Sequence, residues 1–144
     1  MSTKSGLVLL LWLLAWLPAP AGAMAVSVED ADLRMAATQH EIIAILIEQG
    51  EFDRVLPEFA KILDLGFTGE REQLVVKEVW VVVNGLMAAQ KYDLGHQVID
   101  SALHRLHEAD SEFQLLMLKG KLYRQQGLVH EAVRTYRQAQ RLRD

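Results

Sequence analysis

A pattern of seven positions near the end of the chain, mostly small or apolar residues, occurs twice more further upstream. The strongest copy consists of Leu116, Gly120, Tyr123, Gly127, Ala132, Tyr136 and Ala139. A weaker copy lies 37 positions earlier and consists of Val79, Val83, Leu86, Gln90, Gly95, Ile99 and Ala102. A third copy lies a further 40 positions earlier and consists of Gln39, Ile43, Leu46, Gly50, Val55, Phe59 and Ile62. A tandem repeat of this period constrains the fold strongly, because each unit has an apolar face that only its neighbours can bury.

The apolar residues within and between these copies follow helical spacing, interrupted by turn signals about every 12 to 20 residues. Leu74–Val83 is rich in β-branched residues, which prefer strands. Its apolar residues also fit a helix, its flanks are strongly helical, and no other segment offers a partner strand, so we predict a buried helix. Pro57 follows Asp53, a good N-cap residue, and proline is tolerated early in a helix. We therefore expect a helix to start between Asp53 and Leu56.

The residue types of the strongest copy have a physical reason. Gly120 and Ala132 have small side chains, so the helices that carry them can approach closely. Tyr123 and Tyr136 fill the space around that contact. Gly127 suits a turn that needs a positive backbone φ.

This spacing resembles the tetratricopeptide repeat, a helix–turn–helix unit of about 34 residues. All seven marked positions of the last unit correspond to the family pattern, whereas Lys119 stands where the family prefers leucine. The resemblance covers about residues 36–143. It implies an all-α fold, a right-handed solenoid of about three helix–turn–helix units, and it says little about biochemistry.

The first 25 residues are typical of a signal peptide. Lys4 precedes an uncharged apolar run, Leu7–Leu17, which prolines end before two small-x-small sites at Ala23 and Ala25. The run is shorter than the roughly 20 residues that a membrane span needs. We predict cleavage to a mature start at Met24 or Val26, a periplasmic or secreted protein, and no membrane span after cleavage. A retained N-terminal anchor is the alternative.

The predicted organisation is a signal peptide at 1–25, a polar lead-in at 26–35 and a helical domain at 36–144. The chain has no cysteine, which excludes disulfides and thiolate metal sites. Without the signal peptide, 14 basic and 19 acidic residues give a net charge of −5. Residues 26–70 carry ten acids and three bases, and residues 111–144 carry three acids and seven bases. Such a chain is a poor general nucleic-acid binder, but its basic end suits an acidic partner or the acidic end of a second copy.

No pattern in the chain indicates an enzyme. The few serines lie outside any nucleophile elbow, and the phosphate-loop and dinucleotide fingerprints are missing. We therefore predict no catalytic residues and no cofactor. The one candidate metal group is His96, Asp100 and His104, at i, i+4 and i+8 of a helix. Its ends lie about 12 Å apart along the helix axis, too far for one ion, so a solvated surface is the favoured interpretation.

The tetratricopeptide resemblance also implies a concave groove that grips peptides. The inner positions carried over from the family are Lys77, Trp80, Asn84 and Met87 in the second unit and Met117, Lys121 and Arg124 in the third. Lys77, Asn84, Lys121 and Arg124 resemble the family's carboxylate clamp, whereas Trp80 departs from it and has a second interpretation as a core residue.

The leading functional hypothesis is an exported scaffold or adaptor that binds a protein or peptide, in an envelope or secretion-related assembly. A metal-binding protein and a self-assembling structural protein are the alternatives, so homo-oligomer formation stays open.

Overall fold

A computed structural model of the protein describes residues 27–144, so the signal-peptide prediction lies outside the described residues. The chain divides into two units, Met1–Ala31 and Asp32–Asp144. The α-helices of residues 27–144 are α1 (Val28–Gln49), α2 (Val55–Leu63), α3 (Glu72–Ala88), α4 (Tyr92–Arg105), α5 (Ala109–Gln125) and α6 (Val129–Arg141). Short 3₁₀ turns at Phe52–Arg54 and Gly69–Arg71 precede α2 and α3. The described part of the chain contains no strand, which confirms the all-α prediction.

Helix α1 begins earlier than the apolar patterning suggests. The backbone N–H of Asp30 donates to the Ser27 hydroxyl at 3.1 Å, the interaction expected of a serine N-cap. Glu29 and Asp30 place negative charge in the first turn, where the helix dipole favours it. The stretch predicted as a polar lead-in before Ala36 is therefore helical from Val28 onward.

The β-branched segment is helical, as predicted. Helix α3 buries one side in the core through Val75, Val76, Val79, Val82 and Val83. Tertiary burial has therefore overridden the strand preference of valine.

Helix α2 starts within the predicted range, between Asp53 and Leu56, although Asp53 does not cap it. Asp53 lies inside the 3₁₀ turn instead of capping a helix with its side chain, and α2 itself begins at Val55. Pro57 falls in the first turn of α2, where its missing N–H costs no helical hydrogen bond.

Three of the helices end in the same way. The residues after α1, α3 and α5 that take a positive φ are Gly50 (74°), Gln90 (59°) and Gly127 (76°), the same position in each copy of the repeat. At each of them the next residue donates its N–H to the carbonyl five residues back, at 2.8 Å for Glu51 and Lys91 and at 3.0 Å for Leu128. This is a Schellman cap, which stops a helix and starts a sharp turn.

The matched positions are also alike in burial. Apart from the exposed turn residues Gly50, Gln90 and Gly127, the other six positions of every copy are buried or half-buried. The described chain is thus organised as three helix pairs of one register: α1 with α2, α3 with α4, and α5 with α6. Most of the buried residues of the three pairs form one continuous apolar core.

Side chains connect each pair to the next. Among the first helices, His40 of α1 contacts Glu78 of α3 at 2.7 Å, and Gln114 of α5 donates to Gln73 of α3 at 2.8 Å. Among the second helices, Arg105 at the end of α4 donates to Asp64 beyond α2 at 2.9 Å. These contacts place α3 beside both α1 and α5, and the end of α4 beside the end of α2.

Glu72 ties the start of α5 to α3. Its side chain is 1% exposed and accepts the backbone N–H groups of His107 and Glu108 at 2.8 and 2.9 Å. Burial acts to raise the pKa of Glu72, but these two N–H groups and the Ser111 hydroxyl outweigh it and lower the pKa below the ordinary value. A carboxylate from one helix pair thus satisfies free N–H groups at the start of the next.

Within residues 27–144, no helix combines the length and the apolar character that crossing a membrane requires.

Candidate binding site between α3 and α5

Three of the predicted groove residues meet at the junction of α3 and α5. The ammonium of Lys121 lies 5.4 Å from the centroid of the Trp80 ring and donates to the Asn84 side-chain oxygen at 3.3 Å. The face of an indole ring attracts a cation through its quadrupole. Trp80 and Asn84 therefore hold the Lys121 ammonium in place at the surface.

Lys121 lacks an acidic partner in the described part of the chain. No Asp or Glu among residues 27–144 lies within ion-pair distance of its ammonium, and the same holds for Lys77 and Arg124. Lys77 and Arg124 are exposed, whereas Lys121 is half-buried. The charge of these three residues is left for solvent or a ligand to balance.

The remaining predicted residues lie on the same two helices. Lys77 and Met87 occupy α3 at helical spacing from Trp80 and Asn84, and Met117 and Arg124 occupy α5 at helical spacing from Lys121. Met87 is half-buried and packs against the core, while Met117 is exposed. We call the seven predicted residues the α3–α5 face: Lys77, Trp80, Asn84, Met87, Met117, Lys121 and Arg124.

The sequence leaves open whether Trp80 is a groove residue or a core residue, and the structure gives it part of each role. It is half-buried and packs against the core, yet its ring also contacts the Lys121 ammonium. One side of the ring therefore supports the fold while another part belongs to the surface.

Two apolar residues of this surface were not singled out by the sequence. Leu74 and Val81 are 42% and 54% exposed, at helical spacing from Lys77 and Asn84 on α3. The sequence marks Leu74 and Val81 only by their spacing. They stand three or four residues from Lys77 and Asn84, on the same side of the helix. Exposed apolar side chains beside unpaired cations are typical of surfaces that bind other proteins.

An apolar cavity of about 300 Å³ lies between α1 and α3. Its lining includes Leu33, Ala36 and Ala37 of α1 together with Leu74 and Val75 of α3. Leu74 thus lines the cavity one helical turn from Lys77, so the cavity and this lysine are neighbours along α3.

Glu78 and His40 supply the polar groups of this cavity. Burial raises the pKa of Glu78, and the hydrogen bond and charge of His40 only partly offset that effect. One carboxyl oxygen, Oε1, is buried and has no hydrogen-bond partner among the described residues. The carboxyl is therefore held in an environment that disfavours its ionised form.

The three residues of the candidate metal group are each engaged separately or exposed. His96 bonds to Gln126 at 2.6 Å, Asp100 pairs with Lys119 at 2.7 Å, and His104 is exposed. Residues 27–144 contain no group of three or more His, Cys, Asp or Glu side chains placed to hold a metal ion.

Comparison with protein families, with curated proteins and with solved structures finds no family model, no curated relative and no similar structure for this chain.

Proposed function

We propose that this protein is an exported, tetratricopeptide-like interaction module whose α3–α5 face binds a peptide or protein that carries acidic groups. The proposal takes the three helix pairs as successive units of a right-handed solenoid and the α3–α5 face as part of its concave side. Its biological setting is a scaffold or adaptor in an envelope or secretion-related assembly. Catalysis has no part in the proposal.

The observation that carries the proposal is the environment of Lys121. Its ammonium is positioned by the Trp80 ring at 5.4 Å and by Asn84 at 3.3 Å, without a carboxylate nearby in the described residues. A positioned cation loses less conformational entropy on binding than a freely moving lysine. Lys121 is therefore prepared to accept a carboxylate from a partner.

The neighbouring apolar features narrow the class of ligand. Leu74 and Val81 are exposed on α3, and the cavity beside Leu74 is lined mainly by apolar side chains. A ligand that fits both features has a large apolar side chain for the cavity and carboxylates for Lys77, Lys121 and Arg124. We therefore favour an acidic peptide with apolar anchors over a purely charged one.

The test uses a peptide array that varies acidic content, apolar content and the C-terminal group, free or amidated. Binding of the best sequences is then measured by calorimetry against Lys121→Met and Arg124→Ala. Lys121→Met keeps an unbranched side chain of similar length for packing and removes the charge. We expect each variant to weaken binding by about tenfold, the usual scale for an important contact at an interface.

His104→Ala is the matched control, because His104 is exposed and lies on α4. It should bind the same peptides with unchanged affinity. The proposal fails if His104→Ala weakens binding while Lys121→Met and Arg124→Ala bind normally, or if acidic peptides bind no better than neutral peptides of the same apolar content.

Export is tested separately by N-terminal sequencing of the protein recovered from outside the cytoplasm. The expected first residue is Met24 or Val26, whereas an intact Met1 in the membrane fraction would contradict cleavage.

A further inference from the structure

Among residues 27–144, the first helix and the last helix each expose one side. Helix α1 exposes Met35, Ile42 and Ile45, of which Met35 and Ile45 are 56% and 55% exposed. These residues recur at helical spacing along one side of α1. We call them, together with Glu41, the first-helix face.

Helix α6 exposes a basic side at the other end. Val133 is 43% exposed, and Arg134, Arg137 and Arg141 follow at helical spacing on the same side of α6. No carboxylate in residues 27–144 lies within ion-pair distance of any of these three arginines. We call these four residues the last-helix face.

The packing of α5 on α4 gives a template for covering such faces. Tyr123 of α5 stacks on His96 of α4 with ring centroids 4.4 Å apart, and Lys119 of α5 pairs with Asp100 of α4 at 2.7 Å. Leu122 of α5 packs so closely that a Cβ added at Gly95 of α4 would lie 3.1 Å from it. Each helix pair is thus continued when the next first helix packs on its second helix.

The register of the repeat relates the two exposed faces to this junction. Positions in the last pair correspond to those 77 earlier in the first pair, so Lys119 and Leu122 of α5 correspond to Ile42 and Ile45 of α1. By the 37-residue offset, His96 and Asp100 correspond to Val133 and Arg137. Ile42 and Ile45 of the first-helix face therefore match residues that α5 packs on α4, and Val133 and Arg137 of the last-helix face match residues that α4 offers to α5.

Compared with the α4–α5 junction, the first-helix face gains a negative charge and the last-helix face gains positive charges. Glu41 stands on α1 where α5 has the fully buried Leu118. On α6, Arg137 and Arg141 stand where α4 has Asp100 and His104. A carboxylate placed in such a junction needs a cation opposite it, because an unpaired charge is costly to bury.

We infer that the protein associates with itself head to tail, with the first-helix face of one copy packed on the last-helix face of the next. The contact continues the succession of helix pairs from one molecule into another. It joins two different faces, so it builds open chains unless the rotation between copies closes a ring. It uses neither α3 nor the α3–α5 face and does not rest on the proposed function.

The test is sedimentation velocity of the purified protein from about 1 μM to 1 mM, the range in which weak specific association is detected. The expected result is a concentration-dependent rise in mass beyond a dimer, reduced at high salt because the Debye length falls to about 3 Å at 1 M. Ile45→Glu and the double change Arg134→Glu with Arg137→Glu should each weaken association by about tenfold or more. All three positions are exposed, and circular dichroism checks that the variants stay folded.

Mixing the two variants distinguishes head-to-tail pairing from other arrangements. Ile45→Glu keeps an intact last-helix face and the arginine variant keeps an intact first-helix face, so an equimolar mixture should form a one-to-one dimer and stop there. Val81→Glu is the control, since Val81 is equally exposed but lies on α3, and it should associate like the unchanged protein.

Three results overturn the inference. They are that the protein stays monomeric throughout the concentration range, that the equimolar variant mixture stays monomeric, and that Val81→Glu weakens association as much as Ile45→Glu does. In the second case the first-helix face and the last-helix face do not bind each other, and in the third the copies meet through α3.

Discussion

The turns within the helix pairs are alike, whereas the connections between pairs differ from each other. The turns within pairs at Gly50, Gln90 and Gly127 use the same positive φ and the same pair of backbone hydrogen bonds. By contrast, α2 leads to α3 through Gly66 and a 3₁₀ turn, and α4 leads to α5 through an extended Leu106. A turn within a pair is specified locally, while a connection between pairs is held by side chains from other helices.

Of the substitutions that test this difference, removing the Glu72 carboxylate should lower the free energy of unfolding the most. Glu72→Ala leaves the part-buried N–H groups of His107 and Glu108 without their acceptor, and an unsatisfied buried group costs about 1–3 kcal/mol. We expect the free energy of unfolding to fall by about 3 kcal/mol in chemical denaturation. Glu70→Ala, at an exposed acid two residues before Glu72, should change it little. Equal effects of the two substitutions would mean that Glu72 does not hold the connection.

The next effect concerns close packing within the last pair. A Cβ added at Gly120 would lie 2.5 Å from the ring of Tyr136, a distance that forces the ring to move. Gly120→Leu and Ala132→Leu should each destabilise the protein by about 1–3 kcal/mol or more through overpacking. Thermal melts provide the measurement, with Ala88→Leu at the exposed end of α3 as the control. Unchanged melts for both core variants would contradict the packing of α5 on α6.

The sequence predicts the turns within pairs better than the connections. Gly50 and Gly127 mark their turns directly, and the repeat register identifies Gln90 as the third turn although glutamine alone gives no such signal. Glu72 has no comparable signal, because its partners lie 35 and 36 residues further along the chain and only the fold brings them together.

The same limit applies to the candidate site. The resemblance to the tetratricopeptide repeat predicted Trp80, Asn84 and Lys121 as residues of one surface, and they are in contact. That resemblance did not identify Val81, since Val81 is exposed among the five buried valines of α3 and looks like them in the sequence. The cavity beside Leu74 depends on how α1 packs on α3, which no local pattern specifies.

Substitutions at the positive-φ residues Gln90 and Gly127 should change the stability of the protein by smaller amounts, in opposite directions. Left-handed backbone costs an L-residue about 1–2 kcal/mol, and glycine avoids that cost while losing more entropy on folding. Gln90→Gly should therefore stabilise the protein by about 0.5 kcal/mol, and Gly127→Ala should destabilise it by about 1 kcal/mol. Denaturant midpoints measure both. If Gln90→Gly destabilises the protein, the Gln90 side chain has a role that the turn geometry does not require.

The smallest effect is a difference in pH dependence between two carboxyl groups of α3. Burial acts to raise the pKa of Glu72, but hydrogen bonds from His107 and Glu108 lower it below the ordinary value of 4.5. Burial raises the pKa of Glu78 above the same value, with His40 only partly opposing it. The stabilisation from Glu72 is therefore complete above pH 4.5 and is lost as the pH falls through its folded pKa. For Glu78 the relation is reversed, so its favourable contribution is complete below pH 4.5 and is lost as the pH rises through its folded pKa.

Glu72→Gln and Glu78→Gln separate the two contributions when unfolding is measured from pH 3 to pH 7, a range of about four units around the ordinary carboxyl pKa. The stability advantage of the unchanged protein over Glu72→Gln should shrink toward low pH, because the carboxylate that accepts the two N–H groups becomes protonated. Its advantage over Glu78→Gln should instead shrink toward neutral pH, where ionisation of the buried carboxyl is costly. Glu70→Gln is the exposed control and should give a nearly constant difference. The same change of the stability difference with pH at both positions would contradict this account. In that case the hydrogen bonds from backbone N–H groups would not be what distinguishes Glu72 from Glu78.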